Sequence, residues 1–107
     1  MGRRFEQEIM IPLPPEQVAA QAQQVLAALP KGRNVWVNPP LVGADTGMGA
    51  FSWGEKLQVH LAQIQGGTHA RVTSECVFPL QLVDYGKNRK NVEQIVAGLQ
   101  LPQPPVH

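Results

Sequence analysis

Apolar and polar residues alternate at the start of the chain, where Phe5, Gln7, Ile9 and Ile11 fall on one face at period two. That spacing predicts a strand with one buried side. Pro12, Pro14 and Pro15 end it, since proline cannot donate to a ladder but fits the first turn of a helix. Across residues 16–29 the spacing becomes helical. Val18, Ala22, Val25, Leu26 and Leu29 form one stripe among alanines and glutamines, and Pro30 and Gly32 stop it.

Alternation returns over residues 33–38, with Val35 and Val37 on one face and Trp36 on the other, and Pro39-Pro40 closes this strand. Residues 41–49 hold three glycines and an Asp-Thr-Gly, a composition that reads as a loop. Residues 49–53 read as a short strand. Then come two longer alternating runs, residues 56–65 and 68–78, on either side of Gly66-Gly67. A two-residue glycine turn predicts a tight hairpin. Pairing Gln65 with Thr68 sets Leu61 opposite Val72, Val59 opposite Ser74 and Leu57 opposite Cys76, which sorts apolar from polar on both strands. Last, Val92, Ile95, Val96 and Leu99 form a helical stripe. Its start is set either by a capping box of Asn91 and Gln94 or by Asp84 as an earlier cap.

The order β-α-β-β-β-β-α predicts an α+β fold, an antiparallel sheet of four to five strands with two helices on one face. The 107 residues suffice for one core, read as a single domain over residues 1–101 with a proline-rich tail at 102–107. Apolar residues make up 43% of the chain, enough to fill that core. A formal net charge of +1 gives no field to draw nucleic acid, so no nucleic-acid partner is expected. No run approaches the roughly 18 apolar residues of a membrane span. The opening Met-Gly-Arg-Arg-Phe-Glu has no apolar run behind it and does not read as a secretory signal. With the lone Cys76, which has no partner for an internal disulfide, this predicts a cytoplasmic protein.

Candidate chemistry is sparse. Lys87, Arg89 and Lys90 cluster beside a helix start, where cations oppose the dipole, so they are a candidate anion site. The plainer reading has Asp84 capping the helix or pairing with Arg89 and the lysines solvated. His60 and His69 share the outer face of the hairpin but stand too far apart to hold one metal, and close His or Cys pairs are missing. No metal and no cofactor is expected. Ser52, Ser74 and Cys76 lack the context of a catalytic nucleophile, and Asp45-Thr46-Gly47 is ordinary turn chemistry. Trp36, Phe51 and Trp53 would share the open face of the sheet as a platform for a partner.

Residues 5–12, Phe-Glu-Gln-Glu-Ile-Met-Ile-Pro, followed by Pro14-Pro15-Glu16-Gln17-Val18, resemble the start of START-like (Bet v 1-like) helix-grip domains. In that family a first strand leads into helices, then a curved antiparallel sheet, then a long C-terminal helix over a hydrophobic cavity. Residues 84–93 resemble a segment of small uncharacterised bacterial proteins, Asp-x-Gly-x-Asn-Arg ahead of a terminal helix. These readings lead to a non-enzymatic binding module for a small apolar ligand or a protein partner, with a homodimer among the partners considered. Leu57, Val59, Leu61, Val72, Val92, Ile95 and Leu99 would line its interior. The rival reading is an anion-binding or enzymatic domain working at Asp84, Lys87, Arg89 and Lys90.

Overall fold

The computed structural model describes residues 4–29, 32–47, 54–77 and 86–100. Strand β1 (Arg4–Ile11) turns its predicted face inward, and Ile11 is buried. Its outer residues Arg4, Glu6, Glu8 and Met10 are exposed. Helix α1 (Pro15–Ala28) begins with proline at its first turn, and the N–H groups of Gln17 and Val18 donate to the Pro14 carbonyl at 3.0 and 3.1 Å. Its buried stripe is Val18, Ala22 and Leu26, joined by Gln21.

Strands β2 (Gly32–Asn38) and β3 (Leu41–Thr46) form a hairpin closed by Pro39-Pro40. Strands β4 (Glu55–Ile64) and β5 (Gly67–Cys76) form a second one, and helix α2 (Lys87–Gln100) follows. The five strands lie in the order β1-β5-β4-β3-β2, each pair antiparallel. Both helices pack on one face of this sheet, α1 against β2 to β5 and α2 against β1 and β5. The expected α+β architecture and element order are those observed.

Three local expectations change. Residues 41–46 are a central strand rather than part of a loop. Gly43 is needed there for a packing reason, because a Cβ at that position would overlap the indole of Trp36 lying across it. A strand glycine that admits a neighbouring ring does not break the ladder. The strand read at residues 49–53 lies outside the described residues.

The β4–β5 hairpin turns at Gln65-Gly66, with Gly66 at φ +87°, so Ile64 pairs with Gly67. Val59 then faces Val72 and Leu57 faces Ser74, two residues away from the expected register. Side chains repeat with period two along a strand, so such a slip leaves every residue on its expected face. The alternation fixed the face and left the pairing to the turn.

Helix α2 starts at Lys87, with the Lys90 N–H donating to the Gly86 carbonyl at 3.0 Å. Asn91 is therefore inside the helix and does not cap it. Its side chain points into the protein, where it has other partners described below.

The interior is one continuous cluster. Leu26 from α1, Ile95 and Leu99 from α2, and Val42, Leu57, Val59 and Val72 from the sheet are each 2% exposed or less. Gln21 bridges the helices by donating its Nε2 to the Gly98 carbonyl at 3.0 Å. The Thr68 hydroxyl ties the β1–α1 connection to β5 by donating to the Leu13 carbonyl at 2.7 Å.

Candidate functional site

Among the described residues, one opening lies at each end of β3, beside the core. The first lies between the start of α1, the β2–β3 turn and the far end of β4. It is a cavity of about 340 Å³ lined by Pro15, Ala19, Val37, Pro39, Pro40, Leu41, Val42 and Leu61, with Glu16 and Gln63 as its polar members. The elements explain the lining. Ala19 follows Val18 and stands one turn before Ala22, at the edge of the buried stripe, and the two prolines of the hairpin turn carry no N–H to satisfy. Val37, 41% exposed, is one of the large apolar side chains left open to water.

The second opening, about 190 Å³, lies at the other end, between Leu29, the end of β3, the start of β4 and the first turns of α2. Most of its lining residues carry a polar group, Thr46, Glu55, Lys87, Lys90, Asn91 and Gln94, and Gly47 and Leu29 complete it. Glu55 is 4% exposed, on the same face as Leu57, Val59 and Leu61. The Thr46 hydroxyl donates to Glu55 Oε1 at 2.8 Å and accepts from the Glu55 N–H at 2.8 Å. Asn91 Nδ2 donates to Glu55 Oε1 and to Ser74 Oγ, both at 3.1 Å. The Ser74 hydroxyl donates to Asn88 Oδ1 at 2.8 Å, and Asn88 Nδ2 reaches Cys76 Sγ at 3.3 Å. A polar chain thus runs from the opening into the core. Buried polar groups of this kind hold their place only when their partners are supplied.

Of the seven residues read as an interior lining, Leu61 reaches the apolar opening and is 6% exposed, while the other six are 2% exposed or less and belong to the packed core. Helix α1 occupies the space beneath the sheet. Trp36 lies on the outer face, opposite Val37, half-buried against Gly43. Phe51 and Trp53 lie outside the described residues. The cationic trio divides. Lys87 and Lys90 line the polar opening, whereas Arg89 turns away to donate its Nε to Glu93 Oε2 at 3.0 Å, its guanidinium 5.9 Å from the centre of the Phe5 ring. Asp84 lies outside the described residues. On the outer face His69 Nε2 meets Glu8 Oε1 at 2.7 Å, and no group of three His, Cys, Asp or Glu side chains converges among the described residues. No helix of the described residues is long and apolar enough to cross a membrane.

Glu55, Asn88 and Gln21 were missed from the sequence, although two of them carried a signal. Glu55 keeps the period-two phase of Leu57, Val59 and Leu61, and Asn88 stands four residues before Val92 on the apolar stripe. A polar residue in phase with a buried face marks a built polar contact.

No family model matches the chain, and no curated protein matches it. Solved structures do. Ara h 8.0201, a Bet v 1 family allergen, superposes with a TM-score of 0.50 at 14% identity, covering 90% of this chain and 91% of its own. An uncharacterized protein from Rhizobium leguminosarum superposes with a TM-score of 0.52 at 14% identity, covering 91% of each chain. At such identity the likeness concerns the fold, and that fold is Bet v 1-like, as the opening strand and its proline-led helix implied.

Proposed function

We propose that the chain is a non-enzymatic binding module that holds a small apolar ligand in the opening between α1 and the β2–β3 turn. The observation that carries this reading is the lining. Eight of the ten lining residues are apolar, and the cavity of about 340 Å³ falls at the lower end of the range usual for ligand sites. Burying the open part of Val37 against a ligand adds a hydrophobic gain of about 25 cal/mol for each Å² removed from water. A Bet v 1-like fold supports the reading only as a scaffold, since fold and function separate readily. One domain over residues 1–101, working in the cytoplasm, completes the proposal.

The test is a fluorescence titration with the apolar dye Nile red, on the wild type and on Ala19→Trp. The new indole would fill the opening from a half-buried helix position. Dye enhancement in the wild type that is lost in Ala19→Trp, with an unchanged far-ultraviolet circular dichroism spectrum, supports the reading. Equal enhancement in both proteins, or none in either, overturns it.

A further inference from the structure

We propose that the free edge of β1 is an association surface, on which a second copy of this chain adds its own β1 antiparallel about a two-fold axis through Glu6. This inference does not depend on the apolar-ligand reading, which concerns the opening between α1 and the β2–β3 turn.

The two edges of the sheet are built differently. Strand β2 is interrupted by a register shift between Arg33 and Trp36, where Asn34 has φ +55°, and Pro39-Pro40 closes it. Bulges and prolines are common means of keeping a further strand off an edge. Strand β1 has neither. All eight of its residues pair with β5 in one unbroken register, and none is proline or glycine. Among the described residues, no strand pairs with its other side. Such an edge offers a row of unpaired N–H and C=O groups to another chain.

The charges on this edge select a copy of itself. On the outer face, directly opposed positions run Arg33, Asp45, Lys56, Glu75 and Arg4 across the five strands, and the sign alternates at every step. Two rows along, Glu8 stands opposite Arg71. The exposed row of β1 therefore has Arg4 at one end, Glu6 next and Glu8 after it. A second β1 laid antiparallel about Glu6 sets Arg4 against Glu8 of the second copy, and Glu8 against its Arg4. Both rows then carry their alternation across the junction. Opposite charges on facing positions stabilise a strand pair, and like charges destabilise it. The cost falls on the axis, where Glu6 meets Glu6, and there Arg4 Nη2 already donates to Glu6 Oε1 at 2.8 Å and offsets part of the charge. An axis through Gln7 would set Glu6 against Glu8 twice. One through Phe5 would engage only residues 4–6 of the described strand.

The helices fit the same placement. Helix α2 packs on β1 and β5 together, so its axis stands about half a strand spacing inside the edge. Two copies joined at β1 would hold their α2 helices about two strand spacings apart, ~9.6 Å, within the roughly 8–10 Å at which helices pack. The flank of α2 near Phe5 carries Arg89 and Glu93, one of each sign, so two antiparallel copies of it meet no single-signed field. The product is a closed two-fold dimer with one continuous sheet and the helices of both copies on one face.

The experiment is sedimentation velocity on the full chain at low salt, from about 10 to about 500 µM, a range that reaches weak and transient pairs. The wild type is expected to pass from monomer to dimer. Arg4→Glu and Glu8→Arg, each by itself, turn both facing pairs into like charges and should weaken the dimer at least about tenfold. Mixing these two variants restores opposite charges at both facing pairs, so a dimer should return in the mixture. Glu6→Thr removes the like pair on the axis and should tighten the dimer several-fold. Far-ultraviolet circular dichroism checks that each variant keeps the fold. A wild type that stays monomeric throughout, a species larger than a dimer, or a dimer kept at full strength by either single reversal would each overturn the proposal. So would a mixture that stays monomeric, or a weaker dimer in Glu6→Thr.

Discussion

The two ends of β3 solve one geometric problem with opposite chemistry. A straight helix laid on a twisted sheet fits best at its middle and parts from it at its ends. In α1 the stripe Val18, Ala22 and Leu26 is fully buried, while Pro15, the helix's first residue, and Leu29, just past its last, are half-buried. An opening at each end follows from the layers themselves. What differs is the residue that each strand supplies when it reaches the gap. Val42 and Leu61 bring the core pattern out to the first opening, whereas Thr46 and Glu55, on the same two strands, carry hydroxyl and carboxylate into the second. One end continues the core outward; the other brings polar groups inward.

That contrast breaks first at Asn88. It is fully buried, and it holds the Ser74 hydroxyl and reaches Cys76. Asn88→Ala leaves a buried hydroxyl without its acceptor and a small void, so we expect a loss of about 3 kcal/mol in urea unfolding. A loss below about 1 kcal/mol would mean that the polar chain is not part of the structural core. At the apolar end, Leu61→Ala should cost about 2 kcal/mol, near the low end for buried leucines, because water already reaches the space beside it. It should also widen the opening and strengthen Nile red binding. Weaker dye binding in a folded Leu61→Ala protein would show that Leu61 is needed as a contact.

The apolar end was easier to read in the sequence than the polar one, for a physical reason. Periodicity reports which residues share a face, so the inward positions of β1, β4, β5 and both helices were legible down to Val18, Leu57 and Val92. It does not report what a face meets. The strand at Leu41–Thr46 was hidden because Gly43 reads as a loop residue until Trp36 is seen lying on it. The two-residue slip in the β4–β5 hairpin was hidden because both registers place the same side chains inward. Asn91 read as a helix cap because local spacing cannot show that Glu55, 36 positions earlier, lies within hydrogen-bond reach. Both openings are assembled from residues distant in sequence, and neither leaves a local pattern.

The smallest expected effect sharpens the comparison most narrowly, because it divides the basic cluster. Lys87, Arg89 and Lys90 look alike in sequence, yet Arg89 is spent on the surface. Its Nε bonds to Glu93 one turn along α2, with the two side chains 68% and 56% exposed, and its guanidinium rests 5.9 Å from the Phe5 ring centre. An exposed pair at this spacing contributes about 0.3–0.5 kcal/mol, and an exposed cation over an aromatic ring adds a similar amount. Arg89→Ala should therefore lower stability by less than about 1 kcal/mol, and added salt should remove part of that difference. A loss above about 2 kcal/mol would instead mean that Arg89 is part of the packing between α2 and β1 rather than a surface contact.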